Sequence, residues 1–475
     1  MNRLFGRDKE RHQLDELLHS HQPEFIAVYG RRRVGKTFLI KEHLRGSITF
    51  YASGVIDKDS ATQKNAFRQA LEECGASTPR GNSWMDLFLS LKQWLKLRIE
   101  DDSPCVVFLD EVPCFDTPNS DFIAALDHFW NTWASDYENM KLIVCGSATS
   151  WIINNLINSH GGLHNRLTAT IHLRPFTLSE TENYLKQRGI SWNRDSVLQL
   201  YMVMGGVPFY LSHVMSKESL PQALDRLYFQ DEAPLANEYD RLMASLFRSP
   251  EPYYRIVEVL SQHQQGITRD DISKLTGLGT GGNLTRMLTD LENSDFIRSF
   301  YTRGHGKKIR VNTCLYQLTD LFTLFHLHFH QKGINDKYFW QNNINTPQIN
   351  SWQGLAFEKV VMLHIEQIKK ALGINRIGVN YYAWRSKTTT PRSQIDLILD
   401  RADRLINLCE IKYSQDQYLL SKDEMQRLRL RRQNFVIETG SKQGILLTMI
   451  TPYGLIENEQ YYDIQAQLTM DDLFK

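Results

Sequence analysis

Tyr29-Gly30-Arg31-Arg32-Arg33-Val34-Gly35-Lys36-Thr37 is the stretch best equipped for chemistry. It follows the apolar run Phe25 to Val28 and leads into a helix-like segment, Phe38 to Leu44. Strand, glycine-containing turn and helix form the setting that a phosphate-binding loop requires. The two glycines let the backbone curl so that N–H groups converge on phosphate oxygens at the positive end of the following helix. At this spacing Lys36 reaches the β/γ-phosphates and the Thr37 hydroxyl ligates Mg²⁺. The cofactors expected are ATP and Mg²⁺.

A second apolar run, Cys105 to Leu109, ends in Asp110-Glu111. Such an acidic pair complements a phosphate loop: Asp110 would hold Mg²⁺ and Glu111 would polarise the attacking water. A third run, Lys141 to Cys145, ends in Gly146-Ser147, and Ser147 could sense the γ-phosphate or the water. Arg166, just before the strand-like Ala169 to Leu173, is a candidate for stabilising transition-state charge, with Arg174 as its rival. Near the amino terminus, Phe5 and Arg7 precede an amphipathic helix. They could fold over the base and ribose, or simply open an ordinary helix.

The elements that must position these groups alternate between apolar strands and helices. Trp84 to Leu97 has helical apolar spacing and supplies a crossover for a parallel sheet. A helix is also expected over Phe122 to Trp133. In the middle of the chain, helices at Tyr253 to Leu260, from Thr268, and at Asn283 to Leu291 precede strands Phe296 to Tyr301 and Lys307 to Tyr316. Three helices and a hairpin predict a winged helix-turn-helix. Arg298, Arg303, His305, Lys307, Lys308 and Arg310 cluster positive charge on its hairpin, which could lie on DNA phosphates or leave the module a mere connector. His326 and His330 would share a helical face, but no third ligand is evident nearby, so the histidines are read as aromatic packing.

A second set of chemical residues follows the polar linker Asn342 to Asn350. A helix over Trp352 to Ile368 carries Glu358. Three strands come next, at Val379 to Trp384, Gln394 to Leu399 and Leu405 to Lys412. A helix, Lys422 to Asn434, and a strand, Gly444 to Met449, complete the order. Residues two apart on a strand share a face, so Glu410 and Lys412 can aim into one pocket with Asp396 from the neighbouring strand. Asp396 and Glu410 could bind a hard divalent metal, Lys412 could activate water, and Glu358 could complete the pocket. Glu-x-Lys alone is uninformative, since composition yields it about once or twice in a chain this long; the weight lies in the whole set and its element order. Arg427 and Arg431 share a helical face and suggest a phosphate-contacting stripe, unless that helix is merely solvated.

Two resemblances attach to these residues. The Phe5-Gly6-Arg7 opening, the loop Gly30–Thr37, Leu109-Asp110-Glu111, Cys145-Gly146-Ser147, Arg174-Pro175-Phe176 and Gly205-Gly206-Val207-Pro208 occur in this order. Together, over about Asn2 to Leu246, they resemble the archaeal-type P-loop ATPases, relatives of the AAA+ and signal-transducing P-loop NTPases. That resemblance implies an AAA-like core and a helical lid whose turn, Gly206 and Pro208, meets the nucleotide. The region from about Ser351 to Gly454 resembles the PD-(D/E)xK nucleases, with Ile395 in place of the proline. This second resemblance implies DNA cleavage, or a domain of that shape used only for binding.

The expected architecture is therefore α/β and multidomain. It comprises a P-loop core with a parallel sheet (1–178), a helical lid (179–246), a winged helix-turn-helix with its junction (247–341) and an αβββαβ nuclease-like domain (351–475). The length of 475 residues suits several domains, and a net charge of +1 confines any nucleic-acid surface to a local patch. Six cysteines show no CxxC spacing, no signal peptide is evident, and the most apolar window, Leu315 to Phe329, is interrupted by Gln317, Asp320 and histidines. A cytoplasmic, ATP-hydrolysing switch acting on DNA is expected. Its partners would be DNA, with a protein partner or further copies of the chain also possible, and no membrane.

Overall fold

The computed structural model describes residues 4–79, 81–100, 103–158, 165–247, 249–301, 314–330, 333–386 and 389–475. The chain divides into two compact units. The first holds residues 1–175 with 244–248 and 293–295; the second holds the remainder.

In the first unit five parallel strands form one sheet: β1 (Glu24–Tyr29), β2 (Ile48–Ser53), β3 (Cys105–Asp110), β4 (Met140–Gly146) and β5 (Ala169–His172). Their order is β2-β3-β4-β1-β5, so β4 lies between β3 and β1. Both faces are covered, as parallel sheets require. Phe25 and Ala27 of β1 join a cluster containing Trp84, Phe88 and Phe122, whereas Ile26 and Val28 join Leu14, Leu39 and Ile40 on the other face. The crossover helix, Trp84–Lys96, starts at a capping box in which the Ser83 hydroxyl accepts from Asp86 N–H while Asp86 accepts from Ser83 N–H. Its Trp84 packs edge-on against Phe115 and Phe122.

The second unit begins with helices Leu178–Gln187 and Arg194–Met204. Three further helices, Glu251–Gln262, Arg269–Thr276 and Gly282–Asn293, accompany an antiparallel sheet of β6 (Ile267–Thr268), β7 (Ile297–Tyr301) and β8 (Cys314–Leu318). Thr268 caps its helix, its side chain accepting from Asp271 N–H. Of the anticipated strand Lys307 to Tyr316, the described part begins at Cys314; Arg303, His305, Lys307, Lys308 and Arg310 lie outside the described residues. The histidine rings pack as aromatics, His326 against Tyr239 at 4.6 Å and His328 against Trp352 at 5.4 Å.

The C-terminal sheet contains β9 (Val379–Arg385), β10 (Gln394–Arg401), β11 (Leu405–Ile411), β12 (Gly444–Ile450) and β13 (Ala466–Leu468), in the order β13-β12-β11-β10-β9. The first three strands pair antiparallel and the last three parallel. Two expectations are corrected here. The polar stretch 342–350 is not all linker, because a helix starts at Pro347 with Thr346 as its cap and runs to Leu363. Nor is Trp352 to Ile368 continuous. The helix stops before His364, and a second one, Ile365–Ala371, follows.

His364 accounts for that break. It is fully buried, its Nδ1 lies 2.8 Å from Val360 O, and its Nε2 accepts from Leu178 N–H at 3.0 Å. An imidazole that accepts at one nitrogen and donates at the other is neutral. Burial holds its pKa down at about 4, from an ordinary 6.5. Because the folded value lies below the unfolded one, the stabilisation is complete above about pH 6.5 and is lost as pH falls toward 4. Urea unfolding should lose about 2 kcal/mol from this residue between pH 7 and pH 5. The difference should shrink in His364→Gln; an unchanged pH dependence in that variant would refute the assignment.

Candidate functional site

The chemical residues of the first unit gather at the carboxyl ends of β1, β4 and β3, where open parallel sheets bind ligands. The loop leaving β1 is forced by close approach. Gly30 has φ +145°, and a Cβ there would stand 2.2 Å from Leu173 O. Arg33 and Gly35 also have positive φ (76° and 89°), which turns the chain into helix Lys36–His43. Arg31, Arg32 and Val34 complete the loop, with Arg31 and Val34 buried. Lys36 is only 6 % exposed and donates from Nζ to Gly30 O at 2.8 Å and Arg31 O at 3.0 Å. Burial lowers its pKa, opposed by Cys145, Glu111 and Asp110.

Thr37 Oγ1 donates to Asp110 Oδ1 at 3.1 Å, bridging the loop to the end of β3. Tyr51 on β2 reaches the other Asp110 oxygen at 3.5 Å, and the Lys41 ammonium lies 3.7 Å from the Tyr51 ring centre. Tyr51 was not anticipated; only its place beside β3 in the sheet reveals it. Burial, and then the charge of Glu111, raise the pKa of Asp110, while the Thr37 hydrogen bond lowers it. A buried carboxyl beside a hydroxyl is a hard-oxygen donor set that fits Mg²⁺.

Glu111 departs from the strand at φ 47°, ψ 45°. Its Oε2 accepts from Ser147 N at 3.1 Å and Ser147 Oγ at 2.9 Å, so the end of β4 aims the carboxylate. Arg7, 4 % exposed, donates to Val34 O at 3.2 Å and braces the loop from the amino-terminal side, next to Phe5. Arg166 is exposed. Arg174 is exposed as well, and its charge is felt by Tyr29, whose phenol is raised chiefly by burial. Gly206 and Pro208 belong to the second unit, where Gly206 O accepts from Phe176 N–H at 2.8 Å.

In the C-terminal sheet, the register that sets Leu397 opposite Cys409 brings Asp396 toward Glu410 on one face. Asp396 also lies in the register shift between Ile395 and Ile398, a place where strands re-aim side chains. Glu410 is heavily committed: Oε1 pairs with Lys412 Nζ at 3.1 Å and Oε2 with Arg431. Arg431 is therefore not a solvent-facing phosphate contact, and Arg429 pairs with Asp463. Asp396 accepts from Gln394. Glu358 is pushed up to about 7, first by burial and then by Asp396, while Lys359 and Lys412 pull it down. Among the described residues no three His, Cys, Asp or Glu side chains are placed to hold a metal ion. The carboxylates suit a divalent cation chemically, but this arrangement, with Glu410 bound by two cationic side chains, does not fit one. Arg298, expected among the phosphate-facing charges, instead turns onto Gln317 Oε1, at 3.0 Å from Nε and 2.7 Å from Nη2.

Among solved structures, the Walker-type ATPase of Pyrococcus abyssi is 16% identical with a TM-score of 0.49, over 69% of this chain and 96% of that one. The Orc2 protein of Aeropyrum pernix, solved as ADPNP–ADP complexes, is 14% identical with a TM-score of 0.45, over 72% and 96%. An uncharacterized protein of Methanocaldococcus jannaschii is 23% identical over 367 residues, 77% of each chain. Residues 4–214 match the family model of an ATPase domain predominantly from Archaea. No helix among the described residues is long and apolar enough to cross a membrane.

The contact at Gly30 can be tested directly. Gly30→Ala must displace either the loop or Leu173, a strain of about 1–3 kcal/mol, equivalent to roughly 5- to 150-fold in ATP affinity. Calorimetric titration with ATP should show that loss, and wild-type affinity would mean that the close approach is dispensable. Over residues 4–214 this chain is similar to an ATPase domain found predominantly in Archaea.

Proposed function

We propose that this protein is an ATP-hydrolysing switch whose nucleotide sits on the loop Gly30–Thr37. The observation that carries the reading is the bridge from Thr37 to Asp110 at 3.1 Å, with Glu111 held beside it by Ser147. In this reading the loop N–H groups cradle the phosphates and Lys36 moves from the carbonyls of Gly30 and Arg31 to the β/γ-phosphate oxygens. Thr37 and Asp110 would hold Mg²⁺, which when bound neutralises charge on those oxygens. Glu111 orients the attacking water and takes its proton as the bond between the γ-phosphorus and its bridging oxygen breaks, leaving ADP and phosphate. Ser147 is a positioning residue for Glu111. Arg166, or Arg174, supplies positive charge to the transition state. Phe5 and Arg7 line the base side, and Pro208 is a further candidate for binding the nucleotide.

Lys36→Ala and Glu111→Gln should both abolish turnover, by different routes. The first loses ATP affinity in calorimetry. The second binds ATP normally while phosphate release falls by roughly 10²–10⁴-fold. Unchanged turnover in Glu111→Gln would remove that residue from the chemistry.

The second unit extends the proposal to DNA. The helix, three-strand, helix, strand order and the set Glu358, Asp396, Glu410 and Lys412 support a nuclease-like domain. The three helices and β6–β8 support a winged helix that approaches DNA. The specific observation favouring a binding role without cleavage is that Glu410 is already paired to Lys412 and Arg431. Incubating the protein with plasmid, ATP and Mg²⁺, with and without EDTA, separates the two readings. Nuclease action predicts nicking that EDTA and Glu410→Ala/Lys412→Ala remove; a binding role predicts salt-sensitive DNA association in all samples and no cleavage.

A further inference from the structure

A cleft in the second unit shares no residue with the phosphate loop or with the set Glu358, Asp396, Glu410 and Lys412. Its volume is about 590 Å³, within the range of small-molecule pockets. Trp192, Trp340 and Tyr453 give its walls aromatic carbon, while Leu220 and Ile349 give aliphatic carbon. Asp195, Gln199 and Gln353, which also line it, form a relay. Gln353 donates from Nε2 to Gln199 Oε1 at 3.2 Å, and Gln199 donates from Nε2 to Asp195 Oδ2 at 2.7 Å.

The carboxylate fixes the direction of this relay. It can only accept, so Gln199 must turn its amide nitrogen to Asp195 and its oxygen to Gln353. Gln353 must then present its nitrogen, which leaves its oxygen as the odd atom. Gln353 is 4 % exposed, and its Oε1 has no hydrogen-bond partner. Buried acceptors are rarely left so, and the relay is one donor short.

Charge narrows the choice of occupant. Among the described residues, no lysine or arginine lines the cleft, and Asp195 is its one carboxylate. Arg194, next in sequence, is spent on Glu182 at 3.2 Å and Asp471 at 2.7 Å. An anion gains little from the start of helix Arg194–Met204, where Asn193 already accepts from Ser196 N–H at 2.8 Å. Trp192 gives its indole N–H to Glu218 O at 3.1 Å, so what it can offer an occupant is its ring, and aromatic faces attract cations. We propose that this cleft binds an organic cation, a guanidinium group on an apolar stem. The guanidinium donates to the relay and balances Asp195, and the stem lies along Leu220 and Ile349. Guanidinium is rich in donors and accepts nothing, which is what a relay ending in a spare oxygen and a carboxylate calls for. The group could belong to a free small molecule or to an arginine side chain of a peptide.

Calorimetric titration of the full-length, nucleotide-free protein with butylguanidine tests the site, with butylurea as the uncharged molecule of the same shape. Butylguanidine should bind saturably, and butylurea roughly tenfold more weakly or worse. Asp195→Asn removes the charge and lets the relay run in either direction, so the preference for the cation should disappear. Gln353→Met removes the spare oxygen at similar length and should weaken butylguanidine by roughly two- to tenfold. Should one variant fail to fold, the other decides. A capped Gly-Arg-Gly peptide distinguishes the sources. Tighter binding than butylguanidine assigns the cation to a protein side chain, weaker binding assigns it to a free molecule, and either upholds the site. No saturable heat with butylguanidine, equal affinity for the charged and uncharged molecules, or undiminished affinity in the variants that fold overturns it.

Discussion

The first unit depends on one hydrogen bond that spans three strands. Thr37 follows β1, Asp110 ends β3, and β4 runs between them, yet their side chains meet at 3.1 Å. The meeting is possible because parallel strands in register end at the same edge of the sheet, where Tyr29 pairs with Gly146 and Leu109 with Val144. The sheet's alignment is itself secured by burial on both faces, from Phe25 and Ala27 on one side to Ile26 and Val28 on the other. A core packed this way tolerates little sliding of one strand past another. The phosphate loop therefore inherits its accuracy from apolar side chains that touch no ligand.

The second unit solves a different problem, the cost of placing carboxylates away from water. Charge pairs repay such burial only when the geometry is well satisfied. Glu410 is satisfied within its own domain by Lys412 and Arg431, and Asp396 accepts from Gln394. Asp225 uses backbone and amide donors instead: fully buried, it accepts from Trp340 N–H at 2.7 Å, from Gln341 N–H at 3.2 Å and from the Gln341 side-chain amide at 2.9 Å. Polar groups of this kind hold helices together inside the unit while leaving the hydrophobic packing around Phe325 and Trp352 undisturbed.

Legibility in the sequence followed burial. β1, β3 and β4 are covered on both faces, so Phe25 to Val28, Cys105 to Leu109 and Leu142 to Cys145 stand out as apolar runs. β2 escaped notice because it is an edge strand whose Ile48, Thr49 and Tyr51 are only half-buried. Helix Ser60–Glu73 was hidden by its polar composition, with only Phe67 and Leu71 as large apolar side chains in the core. β6 and β13, two and three residues long, carry no periodicity to detect. At the candidate sites, residue types were visible but their partners were not. Glycine at position 30 signals a turn, but nothing local names Leu173 as the wall it faces. The tie from Arg431 to Glu410 depends on how a helix settles against a strand, which no spacing encodes.

Glu111 carries a consequence of its own. Two acids adjacent in sequence would ordinarily compete for one location, and their mutual repulsion would weaken both. The left-handed backbone at Glu111 swings the second carboxylate out of the strand's alternation, toward Ser147, while Asp110 keeps facing Thr37. A single sharp dihedral thus gives neighbouring acids separate addresses. A β-branched residue at position 111 would resist that bend even before its missing charge was felt.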